Sequence, residues 1–121
     1  MQSIIEFLSN IGDRELANLY NRASLFVSSS MLEGFGLVAL EALSCGLPVV
    51  ATDVGAAKEV VGKSGIIVKP KDSLDMAEAI EKLINDSAIL KRAEKEALKK
   101  AKMFDWKIIA EETEKLYERV L

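Results

Sequence analysis

The chain contains no histidine at all. Imidazole general-base chemistry, the Ser-His triad and nearly every catalytic zinc site are thereby excluded, and neither a metal nor a cofactor is expected. A single cysteine, Cys45, leaves no internal disulfide. It stands among apolar residues just before Gly46 and reads as a packing thiol, with a reactive thiol as the other reading. No charge of one sign dominates: 16 Lys and Arg face 19 Asp and Glu, for a formal charge of −3. The charges are mixed along the chain without a basic stripe, which argues against nucleic acid as a partner. No cationic start precedes an apolar stretch, and no apolar run approaches the ~18 residues of a membrane span. A cytoplasmic protein is the natural expectation. No internal repeat, low-complexity tract or flexible linker interrupts the sequence.

What remains is the profile of one soluble globular domain: 121 residues, half of them hydrophobic and 29% charged. The first half alternates short apolar runs with helical ones. Ile4 to Leu8, Ser24 to Val27, Pro48 to Ala51 and Gly65 to Val68 read as four strands. Between them, Asp13 is a plausible N-cap for a helix with Leu16, Ala17 and Tyr20 on one face. A second helix from about Leu37 to Cys45 is closed by Gly46, and a short one spans Ala56 to Val61. Strands that are apolar throughout and separated by helices imply a parallel sheet covered on both faces. The expected fold is therefore a three-layer α/β arrangement.

The second half is helical. Asp72 or Ser73 caps a helix carrying Leu74, Ala77, Ile80 and Ile84. Asp86 caps another with Leu90, Ala93, Ala97, Ala101 and Phe104, and a last helix follows Asp105 with Trp106, Ile109, Ala110, Thr113, Leu116, Tyr117 and Val120 at spacings of three and four. Lys91, Arg92, Lys95, Lys99, Lys100 and Lys102 are interrupted by Glu94 and Glu96. They read as a solvated helix face, with a phosphate or lipid contact as the alternative. The domain thus divides into a βαβ core over residues 1–70 and a helical segment over 71–121.

The segment Leu32-Glu33-Gly34-Phe35-Gly36-Leu37 carries the chemistry. Two glycines flank an aromatic residue directly before a helix, so the backbone can turn sharply and a bulky ligand can approach it. The amides of Phe35, Gly36 and Leu37 then become unpaired donors at a helix N-terminus, where the macrodipole favours an anion. Glu41 lies in the second turn of a helix that is otherwise apolar: Leu37, Val38, Ala39, Leu40, Ala42 and Leu43. Such a helix is normally buried, and a carboxylate in it needs a partner. Two partners fit: a salt bridge or backbone hydrogen bond, or two ribose hydroxyls of a nucleotide placed over the helix start. Glu33 falls in the loop at the expected carboxyl edge of the sheet, where ligands of open α/β sheets bind; an exposed loop acid is the other reading. Gly62-Lys63-Ser64 is not a P-loop end, because six residues separate Gly55 from Gly62 where four are required, and a strand follows where a helix should.

With these residues in view, the segment resembles the carboxyl-terminal, donor-binding domain of retaining GT-B glycosyltransferases, the group 1 or family 4 class that includes mannosyl-, glucosyl- and galactosyltransferases. Glu33 and Glu41 match that family's two glutamates with seven residues between them, and Gly34-Phe35-Gly36-Leu37 matches the run between. The similarity continues from Glu41 through Gly55 and resumes at Glu59-Val60-Val61 and Gly65-Ile66-Ile67-Val68, while Glu15 to Tyr20 looks like the family's preceding helix. The resemblance implies a donor substrate that is a nucleotide-diphosphate sugar, transferred with retention at the anomeric carbon. It gives Glu33 a catalytic place on the hydroxyls of the transferred sugar and Glu41 the ribose. The amides of Phe35, Gly36 and Leu37, with Gly34 in the bend, meet the diphosphate or sugar. The full enzyme would be cytoplasmic or membrane-peripheral.

The family pattern also includes pieces this sequence lacks: an amino-terminal acceptor-binding Rossmann domain, and two strands with an Arg and a Lys that grip the diphosphate. Ala56 and Lys58 stand where a second glycine and a proline are common. The implied partners are therefore the donor and an amino-terminal domain or another subunit, and the chain by itself is expected to be inactive. Without the two strands, Ile4 to Leu8 either pairs directly with Ser24 to Val27 or the bared edge makes an intermolecular contact, giving a homo-oligomer. The competing expectation is a non-catalytic Rossmann-like module serving assembly or regulation. A phosphate-dependent enzyme of another superfamily shares the helix-start seat but leaves Glu41 unexplained.

Overall fold

The computed structural model describes residues 4–32 and 34–121. Among them three strands are formed, β1 (Phe26–Ser28), β2 (Val49–Thr52) and β3 (Gly65–Val68). The helices are α1 (Asp13–Arg22), α2 (Leu37–Ser44), α3 (Ala57–Val61), α4 (Ser73–Asn85), α5 (Ser87–Lys102) and α6 (Trp106–Val120), with a 3-10 turn over Gly62–Ser64. The strands run parallel in the order β1-β2-β3, with Phe26 opposite Val49 and Val49 opposite Gly65. Each strand is followed by a helix, as parallel pairing requires.

All four residues of β2 are buried. Because successive side chains point to opposite faces, Val49 and Ala51 pack with Ala42 and Leu43 of α2, Val60 and Val61 of α3, and Ala97 of α5. Val50 points the other way, into a cluster with Val68, Ala79 and Leu83 of α4, and Ala93 of α5. Helices therefore cover both faces, and the three-layer α/β arrangement expected from continuous apolar strands is the one formed. Ala93 and Ala97 are small residues through which α5 reaches both clusters. Gly65 is fixed by the sheet itself: a Cβ there would lie 1.6 Å from the Val49 carbonyl oxygen.

The structure departs from the sequence reading in four places. Ile4 to Leu8 is not a strand; Ile4 is 99% and Phe7 94% exposed. The sheet has three strands, and direct pairing of this segment with β1 does not occur. Asp13 is not the N-cap of α1 but its first residue, Gly12 being the cap, with no side chain closing it. The core-facing stripe of α4 is Met76, Ala79, Ile80 and Leu83, with Ala79 and Leu83 fully buried; of the expected Leu74, Ala77, Ile80 and Ile84, only Ile80 lies on it. Both stripes have helical spacing, and the one facing Val50 and Val68 is the one that is covered. Finally, α6 buries no residue, and Trp106 is 83% exposed.

The caps at the other helices are as expected. Asp72 accepts from the Asp75 amide, Asp86 from those of Ala88 and Ile89, and Asp105 from that of Lys107. Lys91, Arg92, Lys95, Lys99 and Lys102 are exposed on α5, with Lys99 3.8 Å from Glu96. A strand follows Gly62–Ser64, unlike a P-loop. No helix among the described residues is long and apolar enough to cross a membrane.

Candidate functional site

The carboxyl ends of β1 and β2 open into the loops at residues 29–36 and 53–56, the position at which parallel α/β sheets bind ligands. Two hydrogen bonds fasten these segments together, and a third lies within the loop after β1. The Thr52 hydroxyl at the end of β2 donates to the Ser30 carbonyl. The Ser28 and Ser30 hydroxyls lie 3.2 Å apart. The Ala56 amide donates to the Gly34 carbonyl at 3.3 Å. The bend before α2 is thereby tied to the loop after β2, which is held in turn by the Lys58–Asp53 ion pair at 3.1 Å.

Gly36 is the N-cap of α2 and takes a left-handed conformation, φ 84° and ψ 50°. A side chain would be strained in this conformation. No side-chain hydrogen bond caps α2 among the described residues. A Cβ at Gly34 would meet nothing within 4 Å, so the bend faces open space. Phe35 meets Phe104 edge-on, with ring centroids 5.3 Å apart, and the Lys100 ammonium stands 5.7 Å from the Phe104 ring centroid. Beneath the bend, Phe35, Gly36, Val38 and Ala39 cover an apolar cavity against Ala51 and Val60. Its volume of about 30 Å³ admits little more than a water molecule. Any larger ligand must sit on the outer side of the bend.

Glu41 is not a buried charge. An apolar helical run is normally submerged, yet here Leu37 and Val38 are exposed and only Ala42 and Leu43 of α2 are fully enclosed. Glu41 lies on the exposed face, where its carboxylate accepts the Tyr20 hydroxyl at 3.2 Å. Among the described residues no salt bridge to Glu41 is formed. Leu37 and Glu41, one turn apart, share a surface depression with Leu40, Ser44 and Ala101. Glu41 also lines a second depression with Leu16, Tyr20 and Cys45, and the free Cys45 thiol is half-buried. Burial and the neighbouring Glu41 charge both push the Tyr20 phenol above its ordinary value, burial being the larger cause. At neutral pH it is a donor.

Of the predicted residues, Gly34, Phe35, Gly36 and Leu37 therefore form one bend, and Glu41 follows on the next turn. Glu33 lies outside the described residues. Sequence reading missed Thr52 and Ser30, which fasten the bend, and the pairing of Tyr20 with Glu41. No local spacing signals contacts made across 22 and 21 residues. A further depression at the strand ends gathers Lys69 and Lys71 with Ser29, Thr52 and Ser73; the Lys69 amide donates to Asp75.

A parallel α/β layer with a glycine bend before a helix at its carboxyl edge has the form of a Rossmann-like domain. Comparison with known proteins makes the assignment specific: residues 2–100 match the family "Glycosyl transferases group 1", and the chain belongs to that family. Among curated relatives, it is 37% identical over 114 residues to O-antigen chain mannosyltransferase B of Escherichia coli. That alignment covers 94% of this chain and 30% of the relative. It is 40% identical over 118 residues to a D-inositol 3-phosphate glycosyltransferase of Corynebacterium jeikeium, covering 96% and 28%. Sucrose-phosphate synthase from Thermosynechococcus elongatus superposes with a TM-score of 0.82 at 34% identity, over 95% of this chain and 30% of that one. The C-terminal domain of a group 1 glycosyl transferase (LpcC) from Francisella tularensis gives 0.71 at 30% identity, over 83% and 51%. The fold is thus that of the GT-B carboxyl-terminal domain. The chain spans less than a third of the length of these two curated relatives.

Proposed function

We propose that the chain is the donor-binding part of a retaining glycosyltransferase, holding a nucleotide-diphosphate sugar over the start of α2. The observation that carries this reading is the open bend at Gly36, with Leu37 and Glu41 on successive turns of one exposed face. Amides at a helix start lack intrahelical partners and attract a diphosphate. Glu41, four residues on, stands about 6 Å further along the axis, roughly the reach from a phosphate to the far hydroxyls of its ribose. The same amides would stabilise charge building on the leaving diphosphate. Glu33, by family resemblance, would contact the transferred sugar.

Acceptor binding falls to an amino-terminal domain or another subunit, and the chain alone transfers no sugar. Thermal unfolding with UDP-, GDP- and ADP-sugars tests the reading, because a ligand selective for the folded state stabilises it by about 1.4 kcal/mol at ten times its Kd. One of the three should raise the midpoint by roughly 3–6 °C. No shift with any would overturn donor binding and favour the second reading, a non-catalytic assembly module, which the uncovered apolar residues of α6 also suit.

A further inference from the structure

The Glu41 carboxylate has a hydrogen-bond donor from a different element, and that donor is itself braced. Helix α1 lies beside α2, and Leu16, Ala17 and Tyr20 form one wall of a depression whose other wall is Glu41, Ser44 and Cys45. The Tyr20 ring meets Phe26 of β1 edge-on, with centroids 6.2 Å apart and planes at 66°. It also packs against the main core cluster. The sheet therefore fixes where the phenol oxygen stands. From there the hydroxyl donates to Glu41 Oε2 at 3.2 Å, while the Ser44 hydroxyl donates to the Glu41 carbonyl at 2.6 Å and holds the backbone of the same residue.

As a tie between helices this bond is weak, because it lies in solvent and competes with water. Its value is to a ligand. A glutamate on an exposed helix face loses much rotamer freedom when it is fixed, and a donor already in place removes part of that loss before binding. An ionised carboxylate has about four acceptor positions. Tyr20 uses one, on Oε2, and leaves enough for both members of a vicinal diol.

We infer that Tyr20 is a positioning residue for the donor's ribose, its hydroxyl setting the Glu41 carboxylate to receive the 2′- and 3′-hydroxyls. This rests on the reading of Glu41 proposed above, so the experiment separates the two. Calorimetric titration of the chain with UDP, GDP and ADP, and with the 2′,3′-dideoxy form of each, measures how far binding depends on the diol. The parent chain should prefer at least one ribonucleotide over its dideoxy form by about tenfold. In Tyr20→Phe, which keeps the ring on Phe26, that preference should fall by about fivefold with dideoxy affinity unchanged. A Glu41→Gln chain should lack the preference, and adding Tyr20→Phe to it should change nothing more. Equal preference in parent and Tyr20→Phe overturns the role of Tyr20 while leaving that of Glu41 intact. No preference in the parent, or no binding of any nucleotide, overturns the reading of Glu41 and this inference with it. A purely structural tie would lower the unfolding midpoint of Tyr20→Phe without moving the ratio.

Discussion

Gly36 stands at φ 84°, and the direction of the helix-start amides depends on that one backbone conformation. An alanine there pays about 1–2 kcal/mol for a left-handed conformation. Gly36→Ala should therefore lose about that much in urea unfolding, and any nucleotide-induced rise in melting midpoint should shrink or vanish. A variant as stable as the parent would mean that the bend can form in another conformation. The residues of this bend were legible from glycine spacing alone, because steric limits on φ act locally. The environment of Glu41 was not. Whether an apolar helix is submerged depends on what else packs over it, and here the outward face is left open with Tyr20 reaching across.

At the scale of elements, α2 ends as its sequence suggests. The Gly46 amide donates to the Leu43 carbonyl and the Leu47 amide to that of Ala42, the paired bonds of a Schellman closure. Buried Leu47 then carries the chain into β2. The joint between β2 and β3 is less forgiving. With a Cβ at residue 65 falling 1.6 Å from the Val49 carbonyl oxygen, the two backbones cannot keep their register. Gly65→Ala should cost at least about 3 kcal/mol, since neither strand backbone can yield as a side chain would. Chemical denaturation measures this, and a loss below 1 kcal/mol would show that the register is not fixed at that pair. The stripe of α4 was misread for the opposite reason: periodicity offered two overlapping faces, and only the position of Val50 and Val68 selected Met76, Ala79, Ile80 and Leu83.

At the scale of the whole molecule, apolar surface remains uncovered. Ile4, Phe7, Trp106, Tyr117 and Val120 are all exposed, and β1 is an edge strand with β2 as its neighbour in the sheet. Exposed apolar surface of this extent and an edge strand both favour association. Purified chain should sediment with a mass above the 13.2 kDa monomer, rising with concentration. A single monomeric species across the accessible range would refute this. The alternative expected from sequence, a fourth strand closing the edge, is excluded by the irregular backbone at residues 4–9.

The sequence by itself determined the parallel three-layer sheet, the aspartate caps of α4, α5 and α6 and the glycine bend, because apolar continuity, capping residues and backbone sterics all act over a few residues. The pattern from Glu41 through Gly55 likewise carries the family resemblance in local sequence. Tertiary structure alone decided that Glu41 is exposed and held by Tyr20, that Thr52 and Ser30 fasten the bend, and which side of α4 is buried. Each of these depends on surfaces brought together from distant parts of the chain, and no short-range pattern encodes which surfaces will meet.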